Sequence, residues 1–256
     1  MELNKIYKKD VFEFLDSLPN NYCDLAIIDP PYNLKKADWD TFKTEQYFLD
    51  FTYKWIDKLL PKLKPTASLY IFNTPYNCAL ILNYLRTKDI KYQNIITWYK
   101  KDGMCASKTK YNNNQETILF YTMSKDYYFD CESIRIPYLS TDRIAAAVKT
   151  GIVKNGKRWF PNPNGKLCPD VWEIVSERHK QKVNGKTQKL NHPTPKPKEM
   201  INRMILASSK PNDIVLDLFS GSGTTSVCAR DLGRNYIGCE LNTDYIDKSL
   251  EIEYEN

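Results

Sequence analysis

The chain has 256 residues, of which 42% are hydrophobic and 27% are charged, and its formal net charge is +6. This composition excludes a largely disordered chain, and no apolar run is long enough to span a membrane. Seven cysteines occur singly and there are only two histidines, so we expect neither a metal site nor a disulfide framework. The first residues lack the apolar stretch of a signal peptide, and we therefore expect a cytoplasmic location.

Strand and helix patterns alternate in the first half of the chain. Residues 23–29 form a short apolar run that ends at Asp-Pro-Pro, which is typical of a buried parallel strand that stops at a loop. Apolar residues at helical spacing between 48 and 63 predict a helix, and a buried strand over 68–72 follows. The other predicted elements of this half are a helix over 78–85 and strands over 94–98 and 117–121.

The alternation stops between residues 129 and 195, where prolines and glycines are frequent. The positive charge is concentrated here, because residues 149–198 contain 12 Lys and Arg against 3 Asp and Glu. Three large aromatic residues, Trp159, Phe160 and Trp172, lie in the same stretch. Basic and aromatic side chains on a loop-rich surface favour contact with the phosphates and bases of a nucleic acid.

The alternation resumes after this basic stretch. A helix is predicted over 199–208, a strand over 213–218, a helix over 224–232, a strand over 235–239 and a terminal helix from about residue 242. We therefore predict an α/β fold with one doubly wound, mostly parallel, Rossmann-like sheet that both ends of the chain build together. The middle of the chain is predicted to be an insertion into this sheet domain.

The first motif with chemical content is Asp29-Pro30-Pro31-Tyr32, directly after a predicted strand. Ligands of open α/β sheets bind beyond the carboxyl ends of the strands, so these residues are placed for chemistry. The two prolines stiffen the turn and remove two N–H donors. Asp29 and the Pro30 carbonyl can accept both hydrogens of one amino group, while the Tyr32 ring can stack on the heterocycle that carries it.

The second motif is a glycine-rich turn, FSGSG at 219–223, between a predicted strand and a predicted helix. Glycines allow a ligand to approach the backbone closely, and the start of a helix offers free N–H groups. Glu240 stands at the end of the next strand, where a carboxylate can accept hydrogen bonds from ribose hydroxyls. The pattern predicts a nucleoside-bearing cofactor, but Ser226 occupies the third glycine position of the dinucleotide fingerprint.

Together the motifs resemble those of the S-adenosylmethionine-dependent DNA amino-methyltransferases, whose signatures are DPPY and FxGxG. The order, with the catalytic motif first, is similar to the permuted β group, and the resemblance is strongest to adenine-N6 methyltransferases of type IIS restriction-modification systems of the MboII type. It implies a circularly permuted methyltransferase fold. Residues 1–128 and 196–256 would form the catalytic and cofactor-binding domain, and residues 129–195 an inserted target-recognition segment.

The resemblance also implies roles for individual residues. It assigns catalysis to Asp29, Pro30, Pro31 and Tyr32. It assigns cofactor binding to Asp10, Asp29, Lys196, Asp217, Phe219, Gly221, Gly223, Thr224 and Glu240. In this assignment Asp217 lies near the cofactor's amino group, Lys196 faces its carboxylate and Asp10 touches its adenine. Residues 192–197, HPTPKP, are similar to a further cofactor-side motif of the group.

The implied activity is methyl transfer from S-adenosylmethionine to the N6 amine of an adenine that has been flipped out of double-stranded DNA. The implied site is short, asymmetric and purine-rich, such as GAAGA. A homodimer is common in this group, and a cognate endonuclease would act on the same site without needing to contact the methyltransferase. Two alternatives stay open: methylation of the exocyclic N4 amine of cytosine, and a non-catalytic nucleic-acid-binding module. An aspartate rather than a serine at position 29 favours adenine by resemblance.

Overall fold

A nine-stranded sheet forms the centre of the computed structural model, which describes residues 1–102, 107–177, 180–183, 186–189, 195–245 and 253–254. Numbered in chain order, the strands are β1 (Lys5–Tyr7), β2 (Cys23–Ile28), β3 (Leu63–Asn73), β4 (Lys91–Tyr99), β5 (Gln115–Thr122), β6 (Ile152–Lys154), β7 (Lys157–Trp159), β8 (Val171–Glu173), β9 (Lys180–Val183), β10 (Lys186–Lys189), β11 (Ile214–Asp217), β12 (Asn235–Cys239) and β13 (Glu253–Tyr254). The central sheet has the order β13-β1-β12-β11-β2-β3-β5-β4-β8, while β6–β7 and β9–β10 are separate hairpins.

The helices are α1 (Val11–Ser17), α2 (Glu45–Leu59), α3 (Pro75–Leu85), α4 (Thr141–Thr150), α5 (Lys198–Ser208) and α6 (Thr224–Asp231), with short 3-10 turns at Asp38–Asp40, Leu60–Lys62 and Thr243–Tyr245. Side-chain oxygens cap the first three helices: Asp10, Thr44 and Thr74 each accept a hydrogen bond from a backbone N–H of the first turn. Such caps satisfy donors that have no partner within the helix and so define where these helices begin.

The strand order reverses at the centre of the sheet, between β11 and β2. These two strands are parallel neighbours, with Val215 opposite Leu25. From β11 the chain continues through α6 to β12 on one side, and from β2 through α2 to β3 on the other. Ligands of doubly wound folds bind at this kind of switch point. Within the described sheet, β5 alone runs against its neighbours, to which it pairs in antiparallel fashion.

Helices cover both faces of the sheet. Phe14 of α1, Trp55 of α2 and Ile81 of α3 belong to one buried cluster, whereas Met204 of α5 and Val227 of α6 belong to the other. Successive residues of a strand point to opposite faces, so the strands contribute alternate residues to the two clusters. Burial of such side chains contributes about 1.5–3 kcal/mol each. The prediction of a doubly wound, mostly parallel α/β fold is confirmed.

The ends of the chain differ from their predictions. Strand β1 and helix α1 were not predicted, because three strand residues followed by two lysines and one short helix give almost no periodic signal. Where a terminal helix was predicted, the structure has the 3-10 turn Thr243–Tyr245, and residues 246–250 lie outside the described residues. A further strand, β13, pairs with β1 at the edge of the sheet.

One strand of the predicted insertion belongs to the central sheet. β8 pairs with β4 at the sheet edge, with Trp172 opposite Trp98. The division at residues 129–195 therefore remains a prediction about function, and it does not coincide with the limits of the sheet. None of the described helices is both long enough and apolar enough to cross a membrane.

Candidate active site

A cavity of about 380 Å³ lies beyond the carboxyl ends of β2, β11 and β12. The predicted site residues that line it are Asp10, Asp29, Pro30, Pro31, Tyr32, Lys196, Phe219, Gly221 and Glu240. The predicted residues Asp217, Gly223 and Thr224 are not part of its lining. Two motifs that are far apart in the sequence thus meet in one pocket at the switch point of the sheet.

The carboxylate of Asp29 receives two side-chain hydrogen bonds. The Tyr32 hydroxyl donates to Oδ1 at 2.8 Å, and the Lys196 ammonium donates to Oδ2 at 2.5 Å. Each carboxylate oxygen has two lone-pair sites, so Asp29 keeps capacity for a further donor from the cavity. The ammonium of Lys196 thus forms an ion pair with the predicted catalytic aspartate, and its contact with a cofactor stays a prediction.

Hydrogen bonds from α3, which is itself bonded to the end of β3, hold the backbone of the Asp29–Tyr32 turn. Asn77 in the first turn of α3 donates its side-chain amide to the Tyr32 carbonyl at 2.8 Å. The same amide donates to the Asn73 side chain at the end of β3 at 2.7 Å. Both asparagines are buried, so the turn is anchored by polar groups that have little access to water.

Glu116 was not predicted as a site residue, yet it completes this cluster. It lies on β5, is 8% exposed and lines the cavity. Its Oε2 accepts a hydrogen bond from the Tyr32 hydroxyl at 3.1 Å and lies 3.6 Å from Lys196 Nζ. Its Oε1 pairs with Lys100, the residue that follows the end of the neighbouring strand β4. The sequence carries one signal for this residue, a carboxylate beside the apolar run of a predicted strand. Buried glutamates are rare unless they are paired, so such a residue indicates a charged partner.

Glu116 and Lys196 hold each other in the ionised state. Burial by itself would raise the pKa of Glu116, but Lys196 and Lys100 outweigh it and lower this pKa to about 2. Burial would lower the pKa of Lys196, but Asp29 and Glu116 outweigh it and raise this pKa. Burial and the two carboxylates raise the pKa of the Tyr32 hydroxyl, which therefore stays protonated. Two carboxylates and two ammonium groups thus balance within the site.

A second unpredicted carboxylate, Asp40, organises the loop that follows Tyr32. Asp40 is 1% exposed. It accepts backbone hydrogen bonds from Tyr32 at 2.6 Å, Asn33 at 2.8 Å, Leu34 at 3.0 Å and Lys36 at 3.3 Å. Asn33 and Lys35 have positive φ angles of 59° and 58°, a conformation that is costly for residues with a side chain. The buried carboxylate therefore offsets the strain of a loop that forms one wall of the cavity.

The glycine-rich turn brings the backbone close to Glu240. Gly221 donates its N–H to one oxygen of Glu240 at 2.8 Å, and Asn242 donates to the other at 2.9 Å. Burial raises the pKa of Glu240. A side chain at position 238 would come within 2.6 Å of the Asp217 carbonyl, so the approach of β12 to the turn requires glycine there.

The predicted cofactor residues that do not line the cavity flank the glycine-rich turn at 219–223. Asp217 is 5% exposed and accepts the Phe219 N–H at 3.1 Å. Burial raises the pKa of Asp217 to about 7. Gly223 has a φ of 83° and is the cap at the start of α6, and Thr224 is the first residue of that helix. A direct contact between these three residues and a cofactor stays a prediction.

Aromatic side chains form the apolar part of the cavity wall. Phe219 packs against Phe51 and Trp55, with ring centroids 6.3 Å and 5.9 Å away. At the rim, the Trp39 indole N–H donates to the Tyr245 hydroxyl at 3.1 Å. Flat apolar walls with a few polar groups suit a ligand that carries an aromatic heterocycle. Among the described residues, no group of His, Cys, Asp and Glu is arranged to hold a metal ion.

Asp10 and residues 192–197 complete the predicted set. Asp10 lines the cavity, while one of its side-chain oxygens caps α1 by accepting the Phe12 N–H at 2.8 Å. Of the HPTPKP motif, residues 192–194 lie outside the described residues, and Lys196 is the member that reaches the cavity.

Comparison with known proteins identifies the family. The profile of the family described as DNA methylase, N6_N4_Mtase, matches residues 23–251. This chain is a DNA methylase of that family. The methylase is 57% identical to the type II methyltransferase M1.MboII of Moraxella bovis over 249 residues, which is 97% of this chain and 96% of the relative. It is 31% identical to the type II methyltransferase M.BglII of Bacillus subtilis, over 98% of this chain and 69% of the relative.

Solved structures agree with the fold of the methylase. The PvuII DNA methyltransferase, described as cytosine-N4-specific, superposes with a TM-score of 0.70 at 17% identity, over 94% of this chain and 83% of that structure. The complex of M1.HpyAVI with SAM superposes with a TM-score of 0.61 at 24% identity, over 94% of both chains. At these identities the superpositions establish the fold alone.

Proposed function

We propose that this DNA methylase transfers a methyl group to the exocyclic N6 amine of adenine in a short DNA site. One observation carries the proposal: the carboxylate of Asp29, in a proline-stiffened turn, lines the same cavity as Gly221 and Glu240. A rigid acceptor beside a nucleoside pocket is the arrangement that amine methylation needs. The 57% identity to M1.MboII, which is named a type II methyltransferase, supports a role in a restriction-modification system.

S-adenosylmethionine is the methyl donor, and it supplies a methyl group on a positively charged sulfur. The cavity fits such a molecule, because it combines a half-buried carboxylate at Glu240 with an aromatic wall at Phe219. We propose that Glu240 accepts the ribose hydroxyls and that Gly221 allows close approach of the methionine portion. The resemblance adds Asp10, Asp217, Gly223, Thr224 and Lys196 to this binding set.

The proposed chemistry uses Asp29 and the Pro30 carbonyl as acceptors for the two amine hydrogens. The nitrogen lone pair of adenine is delocalised into the ring, and these acceptors favour a pyramidal nitrogen whose lone pair points at the methyl carbon. The nitrogen–carbon bond then forms as the carbon–sulfur bond breaks, and the bonding electrons stay on sulfur. The methylated nitrogen loses one proton to Asp29, which passes it to water. Tyr32 stacks on the base.

The target amine lies inside the duplex, so we propose that the base is flipped out, at a cost of roughly a few kcal/mol. The basic stretch supports DNA contact: the β6–β7 hairpin exposes Lys154, Lys157, Arg158 and Trp159 to solvent. Lysine and arginine side chains would neutralise phosphates, and residues 129–195 would carry the target recognition. We also propose that the cognate endonuclease reads the same site independently and that the chain forms a homodimer.

Cytosine-N4 methylation is the second candidate. The acceptors at Asp29 and Pro30 suit either amine, and the family name covers both N6 and N4 products. The aspartate at position 29 favours adenine. A non-catalytic binding module accounts less well for a cavity that joins both motifs.

Product analysis separates the three candidates. We expect purified protein with labelled S-adenosylmethionine and plasmid DNA to yield N6-methyladenine after digestion to nucleosides. N4-methylcytosine would identify the second candidate, and absence of any labelled nucleoside would support a binding module. The Asp29→Ala variant is the matched blank, and methylation that persists in it would contradict the assigned site.

A further inference from the structure

Two hydrogen-bond donors in the site lie between the same two carboxylates. The Tyr32 hydroxyl is 2.8 Å from Asp29 Oδ1 and 3.1 Å from Glu116 Oε2, although it has only one proton to donate. The Lys196 ammonium is 2.5 Å from Asp29 Oδ2 and 3.6 Å from Glu116 Oε2. Both donors can therefore pass from Asp29 to Glu116 over a short distance.

The position of Lys196 beside Asp29 opposes the proposed transfer. The attacking amine becomes positive as its bond to the methyl carbon forms, and the donor sulfur in the same cavity is positive until that bond breaks. The reacting nitrogen and sulfur share one positive charge, and the Lys196 ammonium on Asp29 is a second one that raises the energy of this state, because charges interact strongly in a pocket with little water. Lys196 and Tyr32 also bond to the two oxygens of Asp29, so they compete with the amine for the same acceptor atoms.

Glu116 has the properties of a second acceptor for these donors. It is buried, it lines the cavity, and its Oε2 faces Tyr32 and Lys196. Its Oε1 is engaged by Lys100, which holds the side chain in place without using Oε2. The ion pair on Oε1 thus fixes the orientation in which Oε2 is offered to Lys196.

We propose that Glu116 is a positioning residue that receives Lys196 and the Tyr32 hydroxyl from Asp29 when the target amine enters the cavity. The inference rests on the proposed function. Lys196 keeps its proton throughout and moves as an ammonium ion. Asp29 is then free to accept the amine hydrogen and, after the carbon–sulfur bond has broken, the proton of the methylated nitrogen. Glu116 does not touch the reacting atoms.

The kinetic test compares Glu116→Gln with Glu13→Gln. The first change removes the charge that attracts Lys196 at nearly constant shape, and the second removes an exposed carboxylate of α1 outside the cavity lining. We expect the single-turnover methylation rate at saturating DNA and cofactor to fall by about tenfold or more in Glu116→Gln. The dissociation constant of S-adenosylmethionine should stay within about twofold. Glu13→Gln should match the wild type.

A double variant separates positioning from a structural role. In Glu116→Gln/Lys196→Gln the cation that competes for Asp29 is absent, so we expect part of the lost rate to return at saturating cofactor. A further fall in the rate, as two independent structural losses would give, overturns the inference. An unchanged rate in Glu116→Gln alone also overturns it.

The wild-type protein gives a direct test that does not depend on the folding of a variant. In a crystal structure with target DNA and a non-reactive cofactor analogue, we expect Lys196 Nζ within hydrogen-bond distance of Glu116 and withdrawn from Asp29. Lys196 still bonded to Asp29 beside the bound amine overturns the inference. Wild-type protein that methylates no DNA amine contradicts the proposed function instead, so the two failures are distinguishable.

Discussion

At the scale of single residues, the proposed chemistry depends on Asp29. Replacing Asp29 by alanine removes an acceptor at the reacting amine, and we expect the turnover number to fall by about 100-fold or more. The affinity for S-adenosylmethionine should change little, because Gly221 and Glu240 supply the other side of the cavity. Calorimetric titration measures the affinity for the cofactor, and a methylation time course measures the turnover number. Substantial residual turnover, or a large loss of affinity for S-adenosylmethionine, would contradict this role of Asp29.

Asp217 gives a residue-scale prediction about pH. Burial raises its pKa to about 7 from an ordinary value of 3.8. Between these values the folded protein binds more protons at this position than the unfolded chain does, so the contribution of Asp217 to stability falls as the pH rises from about 4 to about 7. Asp217→Asn removes this dependence. We expect the variant to gain stability relative to the wild type across that interval, measured by urea unfolding without cofactor. A constant difference between the two would contradict the buried, protonated aspartate.

At the scale of elements, the loop after Tyr32 depends on Asp40. Asp40→Ala leaves four backbone N–H groups without their carboxylate. Hydrogen bonds to charged groups contribute about 1.5–3 kcal/mol each at most, and the released loop can recover water, so we expect a loss of stability of about 2–4 kcal/mol. The methylation rate should also fall, because the loop lines the cavity. Asp38→Ala, an exposed change in the same 3-10 turn, is the control, and an equal effect of both variants would contradict this role.

The same elements show how far a sequence predicts a site. Asp29 and Gly221 were predicted because each follows a strand that local periodicity already indicates, and the carboxyl ends of such strands meet at one edge. Glu116 and Asp40 were not predicted, because their partners are set by tertiary contacts. Glu116 pairs with Lys196, which is 80 positions away in the sequence. Asp40 accepts hydrogen bonds from a loop in which Asn33 and Lys35 have positive φ angles, and no glycine in the sequence marks that conformation. Lys196 was predicted to face the cofactor, and its contact with Asp29 depends on a packing arrangement that no motif encodes.

At the scale of the whole molecule, the charge distribution predicts how DNA binding responds to salt. Binding that neutralises phosphates releases counterions, so we expect affinity to fall steeply as salt increases. Each lysine or arginine that contacts a phosphate contributes about 0.9 to the slope of log affinity against log salt. Changing Lys157 of the β6–β7 hairpin to alanine should reduce the slope by about that amount. Fluorescence anisotropy across a salt series measures it. Lys91→Ala, in an exposed ion pair with Asp89, is the control, and an identical slope for wild type and Lys157→Ala would remove this position from the interface.

The whole fold also explains why both ends of the chain are needed for one site. β2 carries Asp29 and comes early in the chain, while β11 and β12 carry the glycine turn and Glu240 and come late. Their adjacency at the switch point brings the proposed acceptor next to the proposed cofactor-binding residues, and the segment between β2 and β11 carries the basic residues.

The proposed function depends most on Asp29 and the Pro30 carbonyl accepting hydrogen bonds from an adenine amine next to the methyl donor. The most direct measurement is mass spectrometry of nucleosides from DNA of cells that express the wild-type chain or Asp29→Ala. We predict N6-methyldeoxyadenosine with the wild type and background levels with the variant. N4-methyldeoxycytidine in place of the adenine product, or equal methylation by both chains, would contradict the account.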